Sequence, residues 1–154
     1  MITIRNYKES DAEALWNIHY HTIRNINSGD YSQEQVEAWA PDSFDKHIWE
    51  KRLKGLSPFI AESNGVIVGY TDLQVNGLID HFFCHHKHQG KGVGRALMTH
   101  VLSVGRERNI KRYYSEVSIT ARPFYEHFGF LVAKEQVMEV RGQKLKNFVM
   151  EKFI

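Results

Sequence analysis

The sequence predicts a mixed α/β architecture around one sheet, and three observations carry that prediction. Two Asn-Gly pairs, at 64–65 and 76–77, each stand between strand-like runs. Both central residues of a type I′ turn need φ > 0, and Asn-Gly meets that need, so two pairs in succession predict a three-stranded antiparallel meander. A glycine loop at 89–94 then leads into a stripe of apolar residues at helical spacing, Ala96, Leu97, Val101 and Val104.

The remaining elements follow in chain order. Residues 2–5 alternate as a short strand. Ser10-Asp11-Ala12-Glu13 has the form of a capping box, in which Ser10 satisfies an early backbone N–H and Glu13 reaches back. Leu15, Ile18, Thr22, Ile23 and Ile26 recur at helical spacing, which predicts a helix to about Asn25, broken by Asn27-Ser28-Gly29-Asp30. A second capping box, Ser32-Gln33-Glu34-Gln35, opens a short helix through Trp39, and Pro41 ends it. A third helix is predicted over 44–53, stopped by Gly55. The meander follows, with strands over 59–62, 66–73 and 78–84. After the glycine loop and its helix come a fifth strand over 112–117 and a short helix over 119–128, stopped by Gly129. Strands over 131–140 and 144–153 close the chain as a hairpin around Arg141-Gly142.

Composition bounds the function. A chain of 154 residues suits one domain, here 1–154, with no linker or repeat to divide it. Hydrophobic residues at 42% and aromatics at 12% supply a core and exclude a disordered chain. Lys plus Arg number 20 against 18 Asp plus Glu, and this near-balance argues against a nucleic-acid partner. One Cys excludes an internal disulfide or a multi-thiolate zinc site, whereas nine His raise a metal question. No stretch approaches the roughly 20 apolar residues of a membrane span. The N-terminus lacks the form of a signal peptide, so the expected location is the cytoplasm.

The loop His88-Gln89-Gly90-Lys91-Gly92-Val93-Gly94-Arg95 carries the chemistry. A glycine loop entering a helix N-terminus is an anion site: the backbone can approach the ligand, unpaired N–H groups point outward, and the helix dipole adds positive potential. Lys91 and Arg95 add two full charges, so a pyrophosphate is the natural guest. A Walker loop needs Lys followed by Ser or Thr, which is absent. A dinucleotide fingerprint needs glycine where Arg95 stands, inside a parallel βαβ unit that this meander does not provide. A plain strand–helix connector would need fewer than three glycines and no flanking cations.

Gln89-Gly90-Lys91-Gly92-Val93-Gly94 resembles the acyl-CoA loop of the GCN5-related N-acetyltransferase (GNAT) family, Q/R-x-x-G-x-G/A. Downstream, the run from Ala121 through Tyr125 to Gly129-Phe130 is similar to the family's A-x-x-x-Y-x-x-x-G-F segment. The order of elements parallels the family fold across the chain. Ile79-Asp80-His81-Phe82-Phe83 is similar to the fourth strand of an uncharacterised bacterial group within it. The resemblance implies a GNAT-like fold: a central, mostly antiparallel sheet, helices on both faces, and splayed fourth and fifth strands that admit the pantetheine arm of acetyl-CoA.

Further implications concern single residues. Phe83 and Cys84 end the fourth strand, and the Cys84 backbone N–H would hold the thioester carbonyl, where negative charge develops on amine attack. Gln89, Gly90, Gly92, Val93 and Gly94 would hold the pyrophosphate, with charge from Arg95 and Lys91. Ser118 replaces an asparagine common in the family and would bind the pantetheine or a water. Tyr125 matches the tyrosine that protonates the departing thiolate. An ammonium has no lone pair, so a base must take its proton. Asp80, His81 and Glu116 are the candidates. Strand alternation turns Asp80 and His81 to opposite faces, and Asp80 is favoured because it shares a face with Cys84. Arg24, Asn27, Tyr31 and Trp39, around the junction of the first two helices, are candidate acceptor contacts.

The expected function is transfer of an acetyl group from acetyl-CoA to a primary amine of a small molecule or peptide, by direct attack in a ternary complex, as a monomer or homodimer. Direct transfer makes a covalent cysteine unnecessary. His81, His85, His86 and His88 crowd the end of the fourth strand. They read as the rim of a phosphate site, with no metal and no metal cofactor expected. The alternative reading is a non-catalytic acyl-CoA sensor whose terminal hairpin meets a partner.

Overall fold

The computed structural model describes residues 1–154. The order is β1 (Ile2–Asn6), α1 (Ala12–Asn25), α2 (Gln33–Trp39), α3 (Lys46–Leu56), β2 (Phe59–Ser63), β3 (Val66–Thr71), β4 (Phe82–Cys84), α4 (Val93–Glu107), β5 (Arg112–Ser118), α5 (Arg122–His127), β6 (Leu131–Val140) and β7 (Gln143–Phe153). Short 3₁₀ turns lie at Glu9–Asp11, Asn27–Gly29 and His86–His88. No helix is long and apolar enough to cross a membrane.

Hydrogen bonding divides the expected sheet into two antiparallel halves, β1-β2-β3-β4 and β5-β7-β6. Helices cover both faces of the first half, as strand alternation requires. Ile60 and Tyr70 pack with Leu15, Ile18, Trp49 and Leu53 of α1 and α3. Ala61 and Val68 pack on the other side with Val93 and Leu97 of α4. Met98 and Val101 of α4 then join Tyr113, Val117, Phe148 and Met150 in a core that reaches the second half.

Several local expectations are met by their chemistry. Ser32 and Gln35 form the capping box, with Ser32 Oγ accepting from Gln35 N at 3.2 Å and Gln35 Oε1 accepting from Ser32 N at 2.8 Å. Asn64 and Gly65 have φ of 53° and 78°, the type I′ signature, and Arg141-Gly142 repeats it at 44° and 83°.

Others are corrected. Ser10 does not cap the first helix. Asp11 precedes it instead, accepting from the Lys8 N–H at 2.8 Å and gripping Arg5 of β1 through two bonds of 2.9 Å. The third helix begins after Asp45, whose carboxylate accepts from His47 N and Ile48 N, and it runs through Gly55 to Leu56. It stops at Ser57, which is left-handed at φ 47°, because Pro58 disfavours helical geometry in the residue before it. The helix predicted over 119–128 begins only at Arg122, since Ser118 Oγ takes the Ala121 N–H at 3.0 Å and turns the chain first.

The most consequential correction is the fourth strand. Only Phe82–Cys84 pairs with β3, through Thr71↔Phe82, Tyr70↔Phe83 and Gly69↔Cys84. Residues 78–79 belong to the other half: Leu78 bridges Tyr114 of β5 in parallel, and Ile79 N donates to Tyr114 O at 2.9 Å. In the 76–77 turn only Gly77 has positive φ, at 92°, so it is not type I′. The backbone between the two pairings is satisfied by side chains. Asp72 accepts from Asp80 N at 3.1 Å and His81 N at 2.6 Å, Ser115 Oγ donates to Ile79 O at 2.7 Å, and Thr71 Oγ1 donates to His81 O at 2.8 Å. Buried peptide groups need partners, and these partners let the chain cross from one half-sheet to the other.

Gly77 makes the crossing possible, since a Cβ there would lie 1.9 Å from the Arg112 carbonyl oxygen. Gly77→Ala is therefore expected to destabilise the fold by about 2–4 kcal/mol, through backbone overlap and unfavourable φ. Urea unfolding checks this, and a midpoint equal to the parent's contradicts it.

Candidate functional site

Where β4 leaves β5, a cavity of about 1100 Å³ opens between the half-sheets. Its wall combines the glycine loop, the edge of β4, the face of β5, α5, the α1–α2 junction and the start of α3. His85 N donates to Val68 O at 2.7 Å, which sets the alternation of the β3–β4 ladder. That alternation turns the N–H groups of Phe82 and Cys84 away from β3, toward the gap. Thr22 Oγ1 from α1 holds the Cys84 carbonyl at 2.7 Å, and Gln89 Nε2 reaches the same oxygen at 3.0 Å. Thus Gln89 ties the loop to the end of β4 through its side chain.

Gly92 is the N-cap of α4 at φ 86°, and the 15-residue helix projects its dipole into the loop. Gly90 also has positive φ, and space is open where a Cβ would stand at either residue. Val93 is buried and anchors the first turn. Gly90, Gly92, Val93, Gly94 and Arg95 all line the cavity, whereas Lys91 is exposed and stands outside its wall. An open backbone, free helical N–H groups and the Arg95 guanidinium fit a diphosphate such as that of CoA.

The floor carries Tyr125, buried to 2% exposure against Phe82 and Phe130. Its hydroxyl faces Ser115 Oγ at 3.4 Å, and burial pushes its pKa up, so it stays protonated. Burial likewise pushes the Cys84 thiol up to about 12, which leaves no thiolate for covalent chemistry. Ser118 Oγ, expected to face the pantetheine, accepts from Ala121 N and from Asn27 Nδ2 at 3.3 Å.

The three base candidates all line the cavity. The expectation that alternation separates Asp80 from His81 fails, and with it the shared-face argument for Asp80, because residues 79–81 are not a paired strand. His81 is 5% exposed, and its Nδ1 is hydrogen-bonded to the Tyr70 hydroxyl at 3.0 Å. Burial and then the Arg52 charge lower its pKa to about 3, so it is neutral and weakly basic. Asp80 is held through its backbone by Asp72, and its carboxylate is half-exposed. Glu116 stands exposed on β5.

Among the expected acceptor contacts, Asn27, Tyr31 and Trp39 line the cavity. The Tyr31 hydroxyl is spent on Lys146 O and Ile119 N, at 2.6 Å and 3.0 Å, so only its ring is offered. Trp39 sets its edge on Tyr31 and Phe83. Arg24 is a correction: it lies outside the cavity wall, where it holds the Ala40 carbonyl at 2.9 Å and Asp42 at 3.0 Å as a strut for the segment after α2.

Sequence reasoning missed His19, Thr22, Arg52, Asp72 and Ser115. His19 is buried, lines the cavity with Nδ1 unpartnered, and stacks on His81 at 5.7 Å. Burial above all holds it well below the ordinary histidine range. Its signal was a polar side chain inside the apolar stripe of α1. The rim histidines touch in series, His21–His86 at 5.3 Å, His86–His85 at 4.8 Å and His85–His88 at 5.0 Å. Burial, followed by their neighbours' charges, keeps His85 and His86 below the usual value. No group of three or more His, Cys, Asp or Glu side chains is arranged to hold a metal ion.

A splayed sheet with a glycine cradle at the gap and a buried tyrosine beneath it is the site of an acyl-CoA-dependent acetyltransferase. The Acetyltransferase (GNAT) domain family model matches residues 27–152, so the chain belongs to that family. The uncharacterized N-acetyltransferase YafP of Escherichia coli is 32% identical over 149 residues, 97% of this chain and 94% of that protein. A GCN5-related N-acetyltransferase structure from Rhodopseudomonas palustris superposes with a TM-score of 0.94 at 28% identity, covering 99% of this chain and 95% of the other. The PaiA N-acetyltransferase of Thermoplasma acidophilum, solved with coenzyme A, shares the fold at a TM-score of 0.74 and 19% identity, over 100% of this chain and 99% of that one.

Burial raises the Asp72 carboxyl from its ordinary 3.8 to about 6, despite the N–H groups that it accepts. A raised pKa favours the folded state below about pH 4, and that contribution is lost as pH rises through 6. His81, with its lowered pKa, acts oppositely and loses stability as pH falls from 6.5. Asp72→Asn removes the first effect. Its stability relative to the parent should therefore rise by about 2 kcal/mol from pH 4 to pH 7, as read by urea titrations. A difference that stays flat with pH would contradict the assignment.

Proposed function

We propose that the chain transfers an acetyl group from acetyl-CoA to a primary amine of a small molecule or peptide, by direct attack with both substrates bound. The observation that carries this reading is the gap between β4 and β5, which joins the glycine cradle to an aromatic wall in one cavity. Acetyl-CoA, when bound, supplies the acyl group as an activated thioester. Backbone N–H groups at Gly90, Gly92, Val93 and Gly94 hold its diphosphate, and Arg95 adds a full charge. The Cys84 N–H, turned to the gap, donates to the thioester carbonyl.

Asp80 accepts the proton that the amine loses as its C–N bond forms, directly or through one water. The backbone lock on Asp72 supports this choice, because it fixes where the carboxylate starts. The weak basicity of His81 disfavours the alternative. Tyr125 gives its proton to the sulfur as the C–S bond breaks. The protonated Cys84 thiol disfavours a covalent acyl-cysteine route. Residues 1–154 act in this reading as one acetyltransferase domain of the cytoplasm, monomeric or homodimeric.

The test is acetyl-CoA-dependent thiol release across a broad amine panel, with Tyr125→Phe beside the parent. Loss of the hydroxyl is expected to lower kcat roughly 10²-fold. The dissociation constant for CoA should stay within about threefold, since the ring remains in place. Thiol release at background with every amine, with CoA still bound, would instead make the chain a non-catalytic acyl-CoA sensor.

A further inference from the structure

The acceptor end of the cavity has a charge arrangement that the cofactor end does not need. Trp16 and Phe44 stack at 4.3 Å, and Trp49 meets Trp16 edge-on at 5.2 Å. Phe44 and Ile48 line the mouth while 39% and 68% exposed, so apolar surface is left open there. Beside this surface stand two opposite charges, Arg52 of α3 and Asp80, both on the cavity wall. They approach to 3.9 Å, beyond hydrogen-bond reach, and Asp80 is the only carboxylate paired with Arg52. The guanidinium fork and the carboxylate therefore keep their bonding capacity for a guest.

From this juxtaposition we infer that the acceptor is an α-amino acid with an apolar side chain. Its carboxylate docks on Arg52, its ammonium on Asp80, and its side chain on the surface formed by Trp16, Phe44, Ile48 and Trp49. A carboxylate and an ammonium one carbon apart match a cation and an anion held close but unbonded, and Arg reads a carboxylate through two parallel bonds. A simple amine leaves Arg52 without a carboxylate partner from the guest, and so does an amide or a peptide N-terminus. The inference rests on the acetyltransferase reading and completes its proton path. Asp80 binds the ammonium, takes its first proton and passes it to water; as the C–N bond forms and C–S breaks it takes the second, while Tyr125 protonates the sulfur and regains its proton from solvent. The product is an N-acetyl amino acid.

The experiment compares L-phenylalanine and L-leucine with their amides and with the amines lacking the carboxylate, using the full chain and acetyl-CoA. The free acids should exceed both analogues roughly tenfold or more in kcat/KM. Arg52→Gln should shrink that preference to about twofold or less. Calorimetric titration of L-phenylalanine into the CoA-bound protein should show a matching loss of affinity, and thermal unfolding should confirm that the variant is folded. Amides or amines accepted as well as the acids overturn the inference, as does an Arg52→Gln effect equal on all three classes. If none of the panel is acetylated while other amines are, the inference fails and the acetyltransferase reading stands. If acetyl-CoA itself is not bound, both fail.

Discussion

The Asp72 carboxylate is the constraint on which the rest of this molecule depends. It takes two successive backbone N–H groups, Asp80 and His81, from a segment that would otherwise lie in a sheet ladder. With Ser115 and Thr71 donating to the Ile79 and His81 carbonyls, side chains supply partners that a strand would otherwise give. The chain can then pair with β5 at Leu78 and with β3 from Phe82 onward. The sheet divides there, and the division is the cavity. Asp72 is fully buried for this role, and burial raises its pKa toward 6. An unsatisfied run of buried peptides would cost more than a partly neutralised carboxyl.

The two ends of the cavity solve different electrostatic problems. In the proposed function the glycine-loop end meets the negative charges of the CoA diphosphate with backbone N–H groups, a helix dipole and Arg95. That end can stay wet and exposed, as Gly90, Lys91 and Arg95 are. The inner end holds neutral groups that burial keeps neutral: the Tyr125 phenol, the Cys84 thiol, and the His19 and His81 rings. A proton donor that keeps its proton and an unionised thiol suit a transfer made directly between two bound substrates. Charged side chains return at the exposed mouth, where Arg52 and Asp80 meet water.

Legibility followed the range of the interaction. Turn and cap chemistry spans few residues, so the 64–65 and 141–142 turns and the Ser32 box could be read directly. The glycine loop was legible as the entry to α4 for the same reason, because positive-φ glycines before a helix form a local run. The Ser10 box failed because Arg5, six residues before Asp11, competes for the same end of the helix. Arg24 was misplaced because its bond to the Ala40 carbonyl spans 16 residues. Thr22, 62 residues from the carbonyl it holds, gave no local sign of that role.

The sequence by itself determined the family, the cradle and the order of elements, because each is written in contiguous residues with their own conformational demands. Only the tertiary structure decided where the fourth strand breaks, that His81 is buried and weakly basic, and what stands opposite Asp80. Those outcomes depend on side chains brought together across the chain: Asp72 under the break, Tyr70 on His81, Arg52 beside Asp80. Burial then sets each group's protonation, and burial is a property of the packed whole.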